Sequence, residues 1–228
     1  MMHFKIVLAS LLFSFMAFQS ASGQSLELEN RLSQCIAVFT DMMTAPDSAV
    51  PKDLLKRSRA VILFPSVIKA GMGVGGQYGK GVVMRRDPQD GGWSPPVFLT
   101  LYGGSFGWQF GVQSVDLLLL VLNDVSLKNL FRDKFTIGAD ASIAAGPIGR
   151  DASAQTDFQL NAAILSYSRA KGLYIGISVK GAVLEPDWEA NELYYGSDLS
   201  IVDIFFKKVG QVSPKGEALM RLLQKYSS

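Results

Sequence analysis

The sequence predicts a mixed α+β protein, with an antiparallel β-rich core (sheet or barrel-like) flanked by N- and C-terminal amphipathic helices. Three observations carry that expectation. Apolar residues recur at three- and four-residue steps near both ends of the chain. Between Met72 and Val183, short runs of Val, Ile, Phe and Tyr alternate with Gly, Asn, Asp and Pro. The 228 residues include 22 Gly and 14 Phe, which suits turns and packed strands better than a helical bundle. With 48% hydrophobic and 18% charged residues the chain is too apolar for disorder, and its length is that of one domain.

Residues 1–23 read as a secretory signal peptide. His3 and Lys5 precede an apolar run from Ile6 to Phe18, and the small residues Ala21 and Gly23 place cleavage before Gln24. The run falls short of the about 20 residues that span a bilayer. Cys35 lies too far downstream to be a lipid-attachment site. The expectation is a periplasmic or secreted protein, with peripheral membrane association open and residues 24–228 forming a single domain.

Leu28, Leu32, Cys35, Ile36, Phe39 and Met43 trace an amphipathic helix that ends near Ala45-Pro46. Pro51 opens a short basic helix through Lys52, Lys56 and Arg57, and Ala60–Phe64 is a strand. Strands are expected near 72–84, 97–102, 106–115, 117–122, 135–144, 147–157, 159–168 and 172–183, with one helix over Val125–Phe131. Leu117–Leu122 is continuously apolar between Asp116 and Asn123-Asp124, so it reads as a buried strand. After Tyr195-Gly196 the helical period returns at Ile201, Ile204, Phe205 and Val209, then at Ala218, Leu219, Leu222 and Leu223 behind Pro214.

Composition argues against several functions. The 22 Lys+Arg and 20 Asp+Glu leave a formal charge of +2, without the basic excess of a general nucleic-acid binder. The single histidine, His3, leaves with the signal peptide, and one Cys cannot form an internal disulfide. Gly71–Gly76 matches G-x-G-x-x-G, but Gln77-Tyr78-Gly79-Lys80-Gly81 follows where a phosphate-binding helix should start. Gly103-Gly104-Ser105-Phe106-Gly107 matches G-x-S-x-G, yet no histidine can activate Ser105 and the following residues alternate like a strand. Cys35 falls on the apolar face of the first helix. Asp116, Asp124, Asp140, Asp151 and Asp157 are scattered singly. The expectation is no catalytic residue, no metal and no cofactor. A serine–lysine pair using Lys80 or Lys171, or a pair of acids, stays open as a hydrolase alternative.

Several phrases in order resemble one family: Phe64-Pro65-Ser66-Val67-Ile68-Lys69-Ala70-Gly71, Gly79-Lys80-Gly81-Val82-Val83, Trp93-Ser94-Pro95-Pro96 and Gly107-Trp108-Gln109-Phe110-Gly111. Ala144-Ala145-Gly146-Pro147-Ile148-Gly149-Arg150, Ser166-Tyr167-Ser168-Arg169-Ala170-Lys171-Gly172-Leu173 and Tyr194-Tyr195-Gly196 continue the set. Together they resemble the SYLF domain, most strongly over residues 50–196. The resemblance implies lipid binding without catalysis, with an amphipathic N-terminal helix contributing. For an exported chain it implies an anionic phospholipid surface as partner. The residues that suit such a surface are Lys56, Arg57, Lys69, Arg150, Arg169 and Lys171 for headgroups, and Phe205 and Phe206 for membrane contact. The alternative is a periplasmic protein–protein interaction or scaffold module without a lipid ligand.

Overall fold

A computed structural model describes residues 2–46, 49–130, 134–149, 162–196, 199–207 and 210–228. Helix α1 (Met2–Thr44) is followed by α2 (Lys52–Arg57) and two long strands, β1 (Ala60–Arg85) and β2 (Val97–Val121). Then come α3 (Asp124–Leu130), β3 (Phe135–Thr136), β4 (Ile143–Ala145), β5 (Ile164–Ala170), β6 (Leu173–Tyr174) and β7 (Val183–Pro186). Helices α4 (Trp188–Tyr195), α5 (Ile201–Lys207) and α6 (Pro214–Ser227) close the chain. The architecture is the expected α+β one, a curled sheet with helices from both ends of the chain packed on it.

β1 and β2 form one antiparallel ribbon, from Ala60 opposite Val121 to Val83 opposite Val97. The ribbon folds over at its middle, near Gly73 opposite Gly107. The two arms of β1 come to lie side by side, and their ends meet where the Arg86 N–H donates to the Arg59 carbonyl at 2.8 Å. β2 also pairs with β7 through Leu99–Tyr102 and with β5 through Asp116–Val121, and β4 adds to β5 in parallel. The expected separate strands 60–64 and 72–84 are thus arms of one strand, as are 97–102, 106–115 and 117–122. The glycines that read as turns serve close approach instead. A Cβ on Gly81 would collide with the Leu63 carbonyl, and one on Gly75 with that of Ala70.

Both faces of the sheet are buried. Ile62, Phe64, Val83, Leu99, Leu117 and Leu119 point into one core, closed by Leu127 and Leu130 of α3 and by Ile201, Ile204 and Phe205 of α5. Leu63, Val82, Met84, Phe98, Leu118 and Leu120 point into the other, closed by Leu32, Cys35, Phe39 and Met42 of α1 with Leu54, Leu55, Leu219 and Leu223. Two-sided burial explains why 117–121 is apolar without alternation.

Local chemistry sets the helix ends. Pro51 precedes α2, and the Ser58 hydroxyl donates to Leu55 O at its end. Asp187 caps α4 by accepting from Ala190 N, and Gly196 at φ +89° stops it. Ser213 caps α6 with Pro214 in its first turn. The sequence reading did not anticipate α4. It over-extended the sheet at 135–144 and 172–183, where β3, β4, β6 and the start of β7 are short pieces joined by loops. Most of 147–157 lies outside the described residues.

Gly81→Ala should lower the unfolding free energy in a denaturant titration by roughly 1–3 kcal/mol, the cost of overpacking. Gly104→Ala, where a Cβ meets no atom within 4 Å, should stay near neutral.

Candidate functional site

At the folded-over end of the ribbon, three lysines from three different elements reach one height. Lys69 lies four residues before Gly73 on β1, about 13 Å from the turn at 3.3 Å per residue. Its ammonium donates to Ser178 O at 2.9 Å, and burial holds its pKa below the ordinary lysine value. Lys180 is exposed next to Gly181, whose carbonyl lies beside Gly103, four residues before Gly107 on β2. Lys171 is exposed in the β5–β6 turn. Because Arg169 pairs with Asp116, this turn reaches the row of Ser114 and its partner Ile68.

The Lys171 turn is a two-residue hairpin in which Lys171 and Gly172 both have positive φ, +49° and +81°. Such a turn favours Asn-Gly, so lysine here is held in a costly conformation. Arg169 braces it. Its guanidinium donates to Gly172 O at 2.7 Å, lies 3.8 Å from the Asp41 carboxylate and sits over the Tyr174 ring at 5.5 Å. With 14% of its side chain exposed, Arg169 positions the turn and does not offer itself to a headgroup.

The other expected residues lie elsewhere. Lys56 and Arg57 are exposed on α2, at the end of the sheet where Arg59 and Arg86 meet, about 30 Å along β1 from Lys69. The Lys56 carbonyl accepts from the Arg86 guanidinium there. Phe205 is buried in the core with Ile201 and Ile204, so it has no surface to give a membrane. Phe206 is 44% exposed, with the Arg85 guanidinium 4.4 Å above its ring. Arg150 lies outside the described residues. The structure therefore gathers Lys69, Arg169 and Lys171 at one end and leaves Lys56, Arg57 and Phe206 away from them. Sequence reasoning missed Lys180, and it missed the charge-free stretches 70–79 and 91–115 that run through this end.

The enzyme-like motifs lose their context. Ser105 pairs with Gly75 in the middle of β2, and Gly71–Gly76 lies inside β1, so neither opens a helix. Cys35 is fully buried with its thiol against Leu63 O at 3.9 Å. Burial pushes its pKa up to about 12, with Arg31 opposing and Asp116 adding. A further ionic group clamps α1 down. Buried Arg31 bridges Asp187 at 3.0 Å and Glu27 at 3.3 Å, and Lys80 reaches both carboxylates at 3.9 and 3.5 Å. The cavity beside this clamp, lined by Gln24, Arg31, Lys80 and Glu189, holds about 50 Å³, room for a water or two.

Many of the phrases that carry the family resemblance are packing junctions. Gly146 lies under the Tyr167 ring, which leaves no room for a Cβ. The Tyr195 hydroxyl donates to Pro96 O at 2.6 Å, Tyr194 stacks edge-on against Phe98, and the Trp93 indole donates to Ser227 at 3.0 Å.

A folded β ribbon with helices on both faces defines the architecture as α+β. Residues 102–226 match the model of the Ysc84 family, described as Las17-binding protein actin regulator. The chain is 31% identical over 181 residues to Protein YSC84 of Saccharomyces cerevisiae, covering 78% of this chain and 38% of that one. It is 28% identical over 200 residues to SH3 domain-containing YSC84-like protein 1 of Rattus norvegicus, covering 86% and 58%. LAS seventeen-binding protein 3 of Saccharomyces cerevisiae is 30% identical over 181 residues, covering 78% and 39%. The chain belongs to the Ysc84 (SYLF) family. It spans little more than half of the rat relative and well under half of the yeast ones.

Three outcomes are expected. Cys35 should resist thiol reagents in the native protein at pH 8 and react at the rate of unfolding. Cys35, Tyr167, Tyr174 and Tyr195 all have pKa values raised by burial, so their share of stability is intact below about pH 9 and falls as pH climbs toward 12. Lys171→Asn should raise the unfolding free energy by about 1 kcal/mol through relief of turn strain, read by thermal and chemical denaturation.

Proposed function

We propose that this protein is an exported, non-enzymatic binding module that attaches to anionic phospholipid at an envelope membrane. The observation that carries this reading is the set of Lys69, Lys171 and Lys180 at a common height around one end of the sheet. Each lysine near an anionic surface is worth about 1 kcal/mol, so three give weak, salt-sensitive attachment that apolar contact must supplement. The export step rests on residues 1–23, and the lack of chemistry on motifs that sit inside strands and on a buried thiol.

The relatives' names favour a second reading. A family described as Las17-binding suggests a protein partner, with the same end of the sheet as docking surface. Flotation with liposomes separates the two. On the lipid reading the chain rises with phosphatidylglycerol vesicles and not with phosphatidylcholine vesicles. Lys171→Gln/Lys180→Gln should then weaken binding about 30-fold, the effect of two lost cations. Equal recovery from both vesicle types, or none from either, sinks the lipid reading. A defined partner captured from membrane-depleted extract, and lost in the same variant, would support the protein one.

A further inference from the structure

We propose that the folded-over end of the β1–β2 ribbon is a wedge that enters the acyl region of an anionic bilayer, with the three lysines stopping at the headgroups. This rests on the lipid reading and assigns the inserting element. Ile68, Val74, Tyr78 and Val112 are 42%, 68%, 49% and 74% exposed, a concentration of large apolar surface in one region. They share a face. Strand alternation puts Ile68 with Leu63 across the bulge between Phe64 and Val67, Val112 with Leu118 and Leu120, and Val74 and Tyr78 with Val82 and Met84. That is the face α1 covers lower down, and at this end its four large apolar side chains are exposed.

Ile68 stands opposite Ser114, Val112 opposite Ala70, and Tyr78 opposite Tyr102. These rows lead to the register pairs Met72–Phe110 and Val74–Phe106 at the turn. Residues 70–79 and 91–115 hold no charged side chain, so these strand segments take no ion of their own out of water on entering hydrocarbon. These stretches are bounded by Lys69, Lys80, Asp90 and Asp116, and Lys171 and Lys180 stand at the level of Lys69. Set about 13 Å behind the turn, the three lysines match an element that buries its tip about 5–10 Å into the headgroup and acyl boundary. Exposed Leu173 beside Lys171 adds an apolar side chain at the same level.

The obvious competitor for insertion is α1. Over Leu28–Met43 its apolar face is committed, because Leu32, Cys35, Phe39 and Met42 are fully buried in the second core. Freeing them would unpack that core. The ribbon end needs no such rearrangement.

The test uses the full chain and phosphatidylglycerol vesicles. Because Cys35 is buried, a cysteine placed at Val74 or Val112 can be labelled selectively with an environment-sensitive dye. A third label at Val202 on α5, away from this end, is the control. On the wedge model the labels at 74 and 112 shift to the blue on binding and are quenched by spin-labelled acyl chains, while the label at 202 does neither. Val74→Asp and Val112→Asp should each weaken flotation about tenfold, with circular dichroism and melting unchanged because both side chains are exposed. Flotation with labels 74 and 112 still reporting water, or with both Asp variants binding like the wild type, overturns the wedge and leaves the lipid reading standing. No flotation by the wild-type chain overturns both.

Discussion

The constraint on which this structure depends is the close passage of one strand past itself. β1 can double back beside its own first half only because Gly75 and Gly81 leave no side chain where the Ala70 and Leu63 carbonyls lie. Once it does so, the two arms of β1, each paired with an arm of β2, carry apolar residues on both surfaces. A sheet of that kind must be covered twice. The helices before and after it in the chain supply one cover. α3, α5 and the loops around Ile137 and Val179 supply the other.

The cover formed by α1 is held by packing and by charge. Arg31, Glu27, Lys80 and Asp187 join α1, β1 and the cap of α4 in one group, and the Arg31 guanidinium also lies 5.3 Å over the Phe98 ring. Buried ion groups of this kind add little to stability over an apolar equivalent, but losing one partner is costly. Their role here is positional, fixing where α1 crosses the sheet. This changes what the family resemblance implies for the chain. Over Leu28–Met43 the amphipathic helix is a structural lid, and Ile68, Val74, Tyr78 and Val112 leave exposed apolar surface on the ribbon.

Legibility in the sequence followed the physics of each segment. The helical spacing from Leu28 to Met43 could be read because only one face of α1 is buried. Leu117–Leu122 could be read as buried because a strand covered on both sides loses its alternation. The fusion of β1 and β2 could not, since a glycine that permits close approach looks the same as one that makes a turn. Loops such as 175–182 looked like strands because Ile177, Val179 and Ala182 are there to fill the core. At the site, Lys69 and Lys171 were legible from the phrases around them. The difference between Phe205 and Phe206 was not, because a seven-residue helix gives too few positions to say which phenylalanine faces inward. Lys180 gave no local signal, since its place beside Gly138 and Gly103 depends on pairing distant in sequence.

The helix that opens the domain and the one that closes it pack together, with the Phe39 and Tyr226 rings 5.8 Å apart and Trp93 bonded to Ser227 across 134 positions. Contacts that close such long loops form late, and proteins rich in them fold slowly. A ribosome must therefore finish nearly the whole polypeptide before the Leu63, Phe98 and Leu118 surface can be sealed. Until then the half-built molecule exposes an adhesive sheet, which makes its maturation a natural client task for holding chaperones.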